Sequence, residues 1–146
     1  MDLPEQELPK ALVDRSSLRG GEYAWPIHDI PDVIRAAQLA NLVSVGGQLQ
    51  FRLSDGGTCE CYWIEIDALE GLPSGLPWVE RVSKTAERAL AAFEDLRARF
   101  DFVGEGRKAF AAHFDKYEAE GGDINQAMCF VWYLESNPNQ PSSEPS

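Results

Sequence analysis

The stretch that decides the fold is LVSVGGQLQFRLSDGGTCECYWIEID, residues 42–67. Its first half alternates apolar and polar residues, which is typical of a β-strand with one buried face. A two-residue hairpin at Gly46-Gly47 would set apolar Val45 against polar Gln48 on the same face. We therefore predict a continuous, bent strand over 42–53. Its inward residues are Val43, Val45, Leu49, Phe51 and Leu53.

The segment SDGGT separates this strand from a second one, TCECYWIEID. A three-residue loop, Asp55–Gly57, places Phe51 opposite Cys61, whereas a four-residue loop would place Phe51 opposite Glu60. Gly57 then supplies the left-handed residue that a type I turn with a bulge requires. The predicted hairpin buries Cys59, Cys61 and Trp63, and it turns Gln50, Arg52, Glu60 and Tyr62 outward.

Shorter signals flank the hairpin on both sides. Asp29 precedes apolar residues at helical spacing and is predicted to cap that helix. Gly104 and Gly106 predict a break between two later helices. The last apolar segment fits a buried strand or a short helix, and its aromatic and β-branched residues favour the strand. The predicted elements are a strand at 22–25, a helix at about 29–40, a long helix from Trp78 to about Phe102, a helix at about 105–119 and a strand at 127–134.

This order, β-α-β-β-α-α-β, predicts an α+β domain with a mostly antiparallel sheet and helices packed on one face. A chain of 146 residues can bury one core without disulfides or metal. We expect a single domain at 18–135. Residues 1–17 and the Pro- and Ser-rich residues 136–146 are predicted to be mobile tails.

Charge narrows the class of partner. The chain has 24 acidic and 13 basic residues, a net charge of −11, which argues against binding nucleic acid or an anionic membrane and favours a basic protein. From Leu53 to Glu80 there are six acidic residues and no lysine or arginine.

No run of 18 apolar residues and no signal-peptide pattern occurs in the sequence. The three cysteines suit a reducing compartment, so we predict a cytoplasmic protein.

Two groups of residues could carry metal or enzyme chemistry. Cys59 and Cys61 share a strand face, as two zinc ligands do, and Cys129 with His28 or His113 could complete a tetrahedral site. The predicted register buries these thiols among apolar side chains, which favours a structural role and no metal or cofactor. His113 is expected to be packed at the core boundary, and the acids beside His28 are expected to serve the helix N-terminus.

Catalytic motifs are absent from the sequence. It contains no G-x-S-x-G, no H-E-x-x-H and no glycine-rich phosphate loop before a helix. Glu65 and Asp67 share a strand face, as carboxylates in a metal-dependent hydrolase would, and a histidine would be their third group. This enzyme is kept as an alternative to a protein-binding module, and an oligomeric accessory or regulatory protein is a third.

A resemblance favours the binding module. LRGGEYAWPIHDIPDVIRAA, VSVGGQLQFRL and CECYWIEID, within residues 18–67, resemble small bacterial proteins similar to the immunity proteins of polymorphic or contact-dependent toxin systems. The resemblance implies a cytoplasmic α+β protein that binds and inhibits a cognate toxin. No binding residue is implied by it, since such families vary at their contact surface.

The outward side of the second strand is the predicted contact surface. An aromatic and aliphatic centre with a rim of carboxylates suits a basic protein partner such as a toxin domain, because apolar anchors supply most of the affinity and charge raises the association rate. The predicted contact residues are Asp55, Glu60, Tyr62, Ile64, Ile66, Asp67 and Glu70.

Overall fold

A five-stranded antiparallel sheet forms the centre of the protein in this computed structural model, which describes residues 3–138. The spatial order of the strands is β1-β2-β5-β3-β4, so the last strand of the chain lies in the middle of the sheet. This position explains why β5 is apolar on both faces, and it confirms the predicted strand. The strands are β1 (Ser17–Arg19), β2 (Glu22–Pro26), β3 (Val43–Arg52), β4 (Thr58–Asp67) and β5 (Met128–Glu135).

The helices confirm the α+β class, and the chain contains more elements than the sequence predicted. Short helices precede β1 and β5, and two 3-10 helices occupy Pro4–Glu7 and Ile27–Asp29. The predicted helix at 105–119 is divided in two. The α-helices are α1 (Lys10–Arg15), α2 (Ile30–Leu39), α3 (Trp78–Arg99), α4 (Phe102–Ala109), α5 (Ala111–Ala119) and α6 (Ile124–Ala127). None of the helices within 3–138 is both long and apolar enough to cross a bilayer.

The predicted break between the long helix and the next one exists, but it lies at Phe100 and Asp101; Gly104 and Gly106 both lie inside α4. A further break, at Phe110, whose φ is −131° and ψ is 45°, divides the predicted second helix. Gly106 has a packing reason to be glycine. A Cβ there would lie 2.7 Å from the ring of Phe114, which is fully buried.

The core lies between the sheet and the helices. Phe93 of α3 meets Phe130 of β5 edge-on, with ring centroids 5.7 Å apart. Phe51 of β3 packs on Phe114 of α5 at 4.2 Å. Large buried aromatic side chains remove the most apolar area from water and so contribute most to the stability of the fold. The largest fully buried ones are Trp25, Trp132, Phe51, Phe93, Phe114 and Phe130.

The prediction of an N-terminal tail at 1–17 is wrong for residues 3–17, which form a 3-10 helix, α1 and the start of β1. Leu8 and Leu12 are buried in the main core, and the indole Nε1 of Trp25 donates to the Leu12 carbonyl at 2.8 Å. Two apolar residues in a Pro-broken segment are too weak a periodic signal to reveal this packing. Within the predicted tail at 136–146, residues 139–146 lie outside the described part of the chain.

Strand β3 runs without interruption through its two glycines, as predicted. The neighbouring strands approach so closely that no side chain fits. A Cβ on Gly46, whose φ is +143°, would lie 2.0 Å from the Ile66 carbonyl oxygen, and one on Gly47 would lie 1.7 Å from that of Val131. The glycines therefore allow β4 and β5 to pair on either side of a bend.

Before the bend, the residues of β3 that face the helices are not the ones that the sequence predicted. The pairing of β3 with β5 shifts between Ser44 and Gly46, where Val45 is left over. Ser44 consequently faces the helices: its amide donates to the Thr85 hydroxyl at 3.2 Å, and its hydroxyl accepts from Trp132 Nε1 at 3.3 Å. A bulge reverses the alternation of faces beyond it.

The β3–β4 hairpin has the predicted faces at its tip and a different register. Cys59 pairs with Phe51 and Cys61 with Leu49, a shift of two residues from the prediction. The loop keeps its predicted length of three residues but lies one residue earlier, at 54–56, because the Leu53 amide donates to the Gly57 carbonyl at 2.8 Å, and moving the loop by one residue shifts the pairing by two. The left-handed residue in that turn is Gly56, at φ +95°, and not Gly57.

Helix α2 begins without the predicted side-chain cap. Asp29 makes no hydrogen bond to the first-turn amides. Its buried carboxylate instead accepts from Nε of Arg15, at 3.2 Å, and so ties α2 to α1. The N-terminal segment that the sequence placed in a tail is therefore also held by a buried acid.

Candidate partner-binding surface

Strand β4 is an edge strand. One of its sides pairs with β3, and no other strand of residues 3–138 pairs with the opposite side. An edge strand presents free backbone N–H and C=O groups, which another chain can use to extend the sheet. The hairpin that the sequence selected as the contact surface therefore carries the open edge of the fold.

A wide bulge interrupts β4 halfway. Leu49 pairs with Cys61 whereas its neighbour Gln48 pairs with Glu65, so residues 62–64 have no partners on β3. Two of these residues are aromatic and exposed. Tyr62 is 67% exposed, and Trp63, predicted to be buried, is 43% exposed.

The two aromatic side chains are held by neighbouring groups. Trp63 Nε1 donates to Glu105 Oε1 of α4 at 3.2 Å, and its ring lies 6.4 Å from that of Phe110. The Tyr62 ring meets Trp63 edge-on at 5.7 Å. Side chains that are already ordered lose less conformational entropy on binding, so this pair suits an anchor.

Five exposed carboxylates lie on the same strand as the aromatic pair and on the loops at its two ends. Two of them are oriented by backbone amides: Asp55 Oδ1 accepts from Gly57 N at 2.8 Å, and Asp67 Oδ1 accepts from Leu69 N at 3.0 Å. Within the described chain none of the five carboxylates forms an ion pair with a lysine, arginine or histidine. The exposed carboxylates are Asp55, Glu60, Glu65, Asp67 and Glu70.

The structure corrects the aliphatic part of the predicted surface. Ile64 and Ile66 are buried in the main core and are therefore not accessible to a partner. The bulge is the reason, because the three unpaired residues reverse the alternation and turn these two side chains towards the helices. The other five predicted contact residues, Asp55, Glu60, Tyr62, Asp67 and Glu70, are exposed.

The sheet face opposite the helices is buried where it meets the β1–β2 hairpin. The sequence predicted that the residues there are exposed to solvent. Gln50 and Arg52 are 1% and 5% exposed. Arg52 donates from Nε to Gln50 Oε1 at 3.1 Å, and from its Nη atoms to the carbonyls of Ser17 at 2.7 Å and Glu22 at 3.0 Å. The β1–β2 hairpin therefore lies over this polar face.

A second polar contact lies on the same face. The Tyr133 hydroxyl donates to Glu22 Oε2 in a very short hydrogen bond. Burial, together with this bond, raises the pKa of Tyr133, so the group stays protonated and donates at neutral pH. The sequence does not reveal this network, because an apolar-polar alternation is the same whether the polar face meets water or another hairpin.

The thiols and imidazoles form no metal site among residues 3–138: no three His, Cys, Asp or Glu side chains are grouped to hold an ion. Cys59 and Cys61 are buried, as predicted, and burial raises the pKa of Cys61 to about 12. His113 is exposed, contrary to the prediction of a boundary position. The imidazole Nε2 of His28 lies 3.6 Å from Asp29 Oδ1.

The carboxylates of the hydrolase alternative do lie together. Glu65 and Asp67 line an open depression of about 450 Å³ with Tyr133 and the backbone of Gly46 and Gly47. None of the residues lining it is a histidine. The depression therefore lacks the third group that the alternative requires.

No family model, curated protein or solved structure matches this chain. The functional argument consequently rests on the surface itself. An open strand edge, two ordered aromatic side chains and five carboxylates free of ion pairs can bind a basic chain.

Proposed function

We propose that this chain is a protein-binding module, and that it acts in the cytoplasm as an immunity protein that binds and inhibits a basic toxin domain. One observation carries the proposal. Tyr62 and Trp63 emerge from a bulge on an open edge strand, and exposed carboxylates without ion pairs among residues 3–138 lie along the same strand and its flanking loops. The resemblance of residues 18–67 to immunity proteins supports the same assignment.

The surface suits a protein better than a small ligand. Exposed aromatic side chains supply apolar contact area with few torsions to immobilise, and such residues often dominate the binding energy of an interface. The free edge of β4 offers main-chain hydrogen bonds in addition. The carboxylates attract a basic partner over about 10 Å at moderate salt and raise its association rate.

The same charge explains how binding would inhibit a nuclease. A nuclease holds its substrate through lysine and arginine contacts to phosphates. The five exposed carboxylates of β4 and its flanking loops present the negative charge that those residues bind. Occupation of the basic site by β4 would then exclude nucleic acid from the toxin.

The experiment is affinity capture from the native cell, followed by a protection assay. Bait proteins would be the wild type, Tyr62→Ala and the double variant Glu60→Lys/Asp67→Lys. Glu80→Lys/Glu87→Lys on α3 is the control, because it makes the same change in net charge at exposed positions away from the sheet. Each captured protein is then expressed in a bacterial host with and without the wild type.

We expect a basic protein that arrests growth when expressed alone, and growth restored by the wild type and the α3 control. Tyr62→Ala should weaken binding by ~2 kcal/mol, chiefly through faster dissociation. Glu60→Lys/Asp67→Lys should slow association and reverse its salt dependence. A partner that binds all four proteins equally, or whose expression is harmless, would contradict the proposal.

A further inference from the structure

Three arginines line one pocket where α1, β1 and the end of β3 meet, on a chain whose net charge is −11. They come from three different elements, so only the folded chain brings them together. We propose that this pocket binds a small oxyanion of the phosphate class. The residues that hold it are Arg15, Arg19 and Arg52.

Arg52 carries the strongest reason for a bound anion. Its side chain is buried, and within residues 3–138 no carboxylate lies within ion-pair distance of it. All its hydrogen-bond acceptors are neutral: Gln50 Oε1, the Ser17 carbonyl and hydroxyl, and the Glu22 carbonyl. A buried guanidinium with no carboxylate in direct contact is costly; Glu22 acts on it only from beyond ion-pair distance, and an anion in the pocket would supply a direct counter-charge.

Arg19 adds a second positive charge without a carboxylate. Its Nη atoms donate to the carbonyls of Gly57 at 2.8 Å and Leu53 at 2.7 Å. A guanidinium has five N–H donors, so about three remain for a ligand. Burial, and to a smaller extent like-charged Arg19, lower the pKa of Arg52 while the Glu22 carboxylate opposes them, and an anion in the pocket would favour the charged form of the guanidinium.

Arg15 and the remaining lining define the mouth of the pocket. Arg15 is half-exposed and lines the pocket, and its pair with Asp29 at 3.2 Å uses Nε and leaves the Nη donors without an ion pair among residues 3–138. Cys129 forms part of the wall, and burial raises the pKa of its thiol to about 11, so it is neutral at physiological pH. None of the residues lining the pocket is acidic.

The volume of the pocket limits the ligand. Its volume is about 180 Å³, which equals the volume of roughly six water molecules in the liquid. The smallest ordinary ligand pockets have a larger volume, about 300 Å³. A nucleotide is therefore too large, whereas an inorganic phosphate with part of its hydration fits. Guanidinium groups bind such oxyanions in bidentate geometry.

The test is titration of the purified protein with inorganic phosphate at constant ionic strength, with chloride as the reference. Amide NMR signals of Ser17 and Arg19 and the midpoint of thermal unfolding are followed together. Arg19→Gln and Arg15→Gln remove pocket charges; because Arg19 also bonds the β3–β4 turn and Arg15 also pairs with buried Asp29, the unfolding midpoint and amide spectrum of each variant are first recorded without phosphate. Arg99→Gln is the control, because it removes an exposed arginine paired with Asp95 on α3. Acetate replaces phosphate in a second arm.

We expect saturable shifts at the pocket signals and a rise in unfolding midpoint for the wild type and Arg99→Gln. Arg19→Gln should weaken phosphate about tenfold or more, as expected for a lost hydrogen bond between charged groups. If phosphate changed the amide signals and the unfolding midpoint equally in the wild type, Arg19→Gln and Arg15→Gln, the proposed binding site would be refuted. The absence of any response to phosphate would refute it as well. An acetate response as strong as the phosphate response would overturn the phosphate class. No toxin partner is needed, so this result is independent of the proposed function.

Discussion

Nη1 of Arg19, in β1, donates to the backbone carbonyl of Gly57, 2.8 Å away in the turn between β3 and β4. In the order of the sheet β1 and β4 are the two opposite edges, about 19 Å apart if the sheet were flat. The sheet must therefore curl until its first hairpin reaches its second. This curl buries Gln50 and Arg52 and leaves the outer edge of β4 open.

Phe51→Ala should lower the free energy of unfolding by about 3 to 5 kcal/mol, since it removes a fully buried ring that packs on Phe114. Gln50→Ala should cost about 1 to 2 kcal/mol, because it leaves a buried Arg52 donor without its acceptor. Urea unfolding measures both, with exposed Glu87→Ala as the control. If Gln50→Ala cost no more than Glu87→Ala, the buried polar network would be refuted.

Gly46→Ala should destabilise the protein by about 3 kcal/mol or more. The new methyl group would collide with the Ile66 carbonyl, and the backbone is in the left-handed region. Gly56→Ala is the matched control, since Gly56 also has positive φ but no atom lies within 4 Å of the new Cβ. It should cost about 1 kcal/mol. Equal losses in thermal unfolding would show that the close approach of β3 and β4 is absent.

Glu5→Gln should change how stability depends on pH. Glu5 is buried, its Oε2 has no hydrogen-bond partner among residues 3–138, and burial raises its pKa above the usual 4.5. A raised pKa means that the folded state holds the proton more tightly, so this residue costs stability as pH rises from the unfolded pKa through the folded one. Glu5→Gln removes that cost.

The difference in unfolding free energy between Glu5→Gln and wild type should therefore increase in favour of the variant from pH 4 to pH 7. Exposed Glu7→Gln in the same 3-10 helix makes the same charge change as a control. A constant difference across this pH range would contradict the burial of the Glu5 carboxylate.

The cysteines should be unreactive in the native protein. Burial raises the pKa of Cys61 to about 12 and that of Cys129 to about 11, and the thiolate is the reactive form. We expect a disulfide reagent at pH 8 to modify the thiols only as fast as the protein opens, and all three at once in urea. EDTA should leave the unfolding midpoint unchanged. Rapid native labelling of Cys61, or unfolding by EDTA, would contradict the structure.

Local patterns predicted the elements whose environment is uniform along their length. Helices α2 and α3 have one apolar stripe each, and both were predicted within a few residues. The two glycines in β3 predicted a bend without a turn, because side-chain alternation ruled out a hairpin. The apolar run of β5 predicted a strand buried on both faces.

The candidate surface was predicted only in part. Tyr62 and the predicted carboxylates are exposed as expected, whereas Ile64 and Ile66 are buried and Trp63 is exposed. One bulge of three residues accounts for all three errors. A prediction that assumes strict alternation of inward and outward residues cannot include a bulge. The unpaired residues are recognised only when β4 is aligned with β3.

The sequence by itself determined the α+β class, the principal helices and strands, the burial of Cys59 and Cys61, and the excess of acid around the second hairpin. These depend on residue type and spacing within a single segment. Only the tertiary structure decided the register of β4, the packing of Leu8 and Leu12, and the meeting of Arg15, Arg19 and Arg52. Each of those depends on which distant segments meet when the sheet curls, and contacts between distant segments leave no periodic trace in the chain.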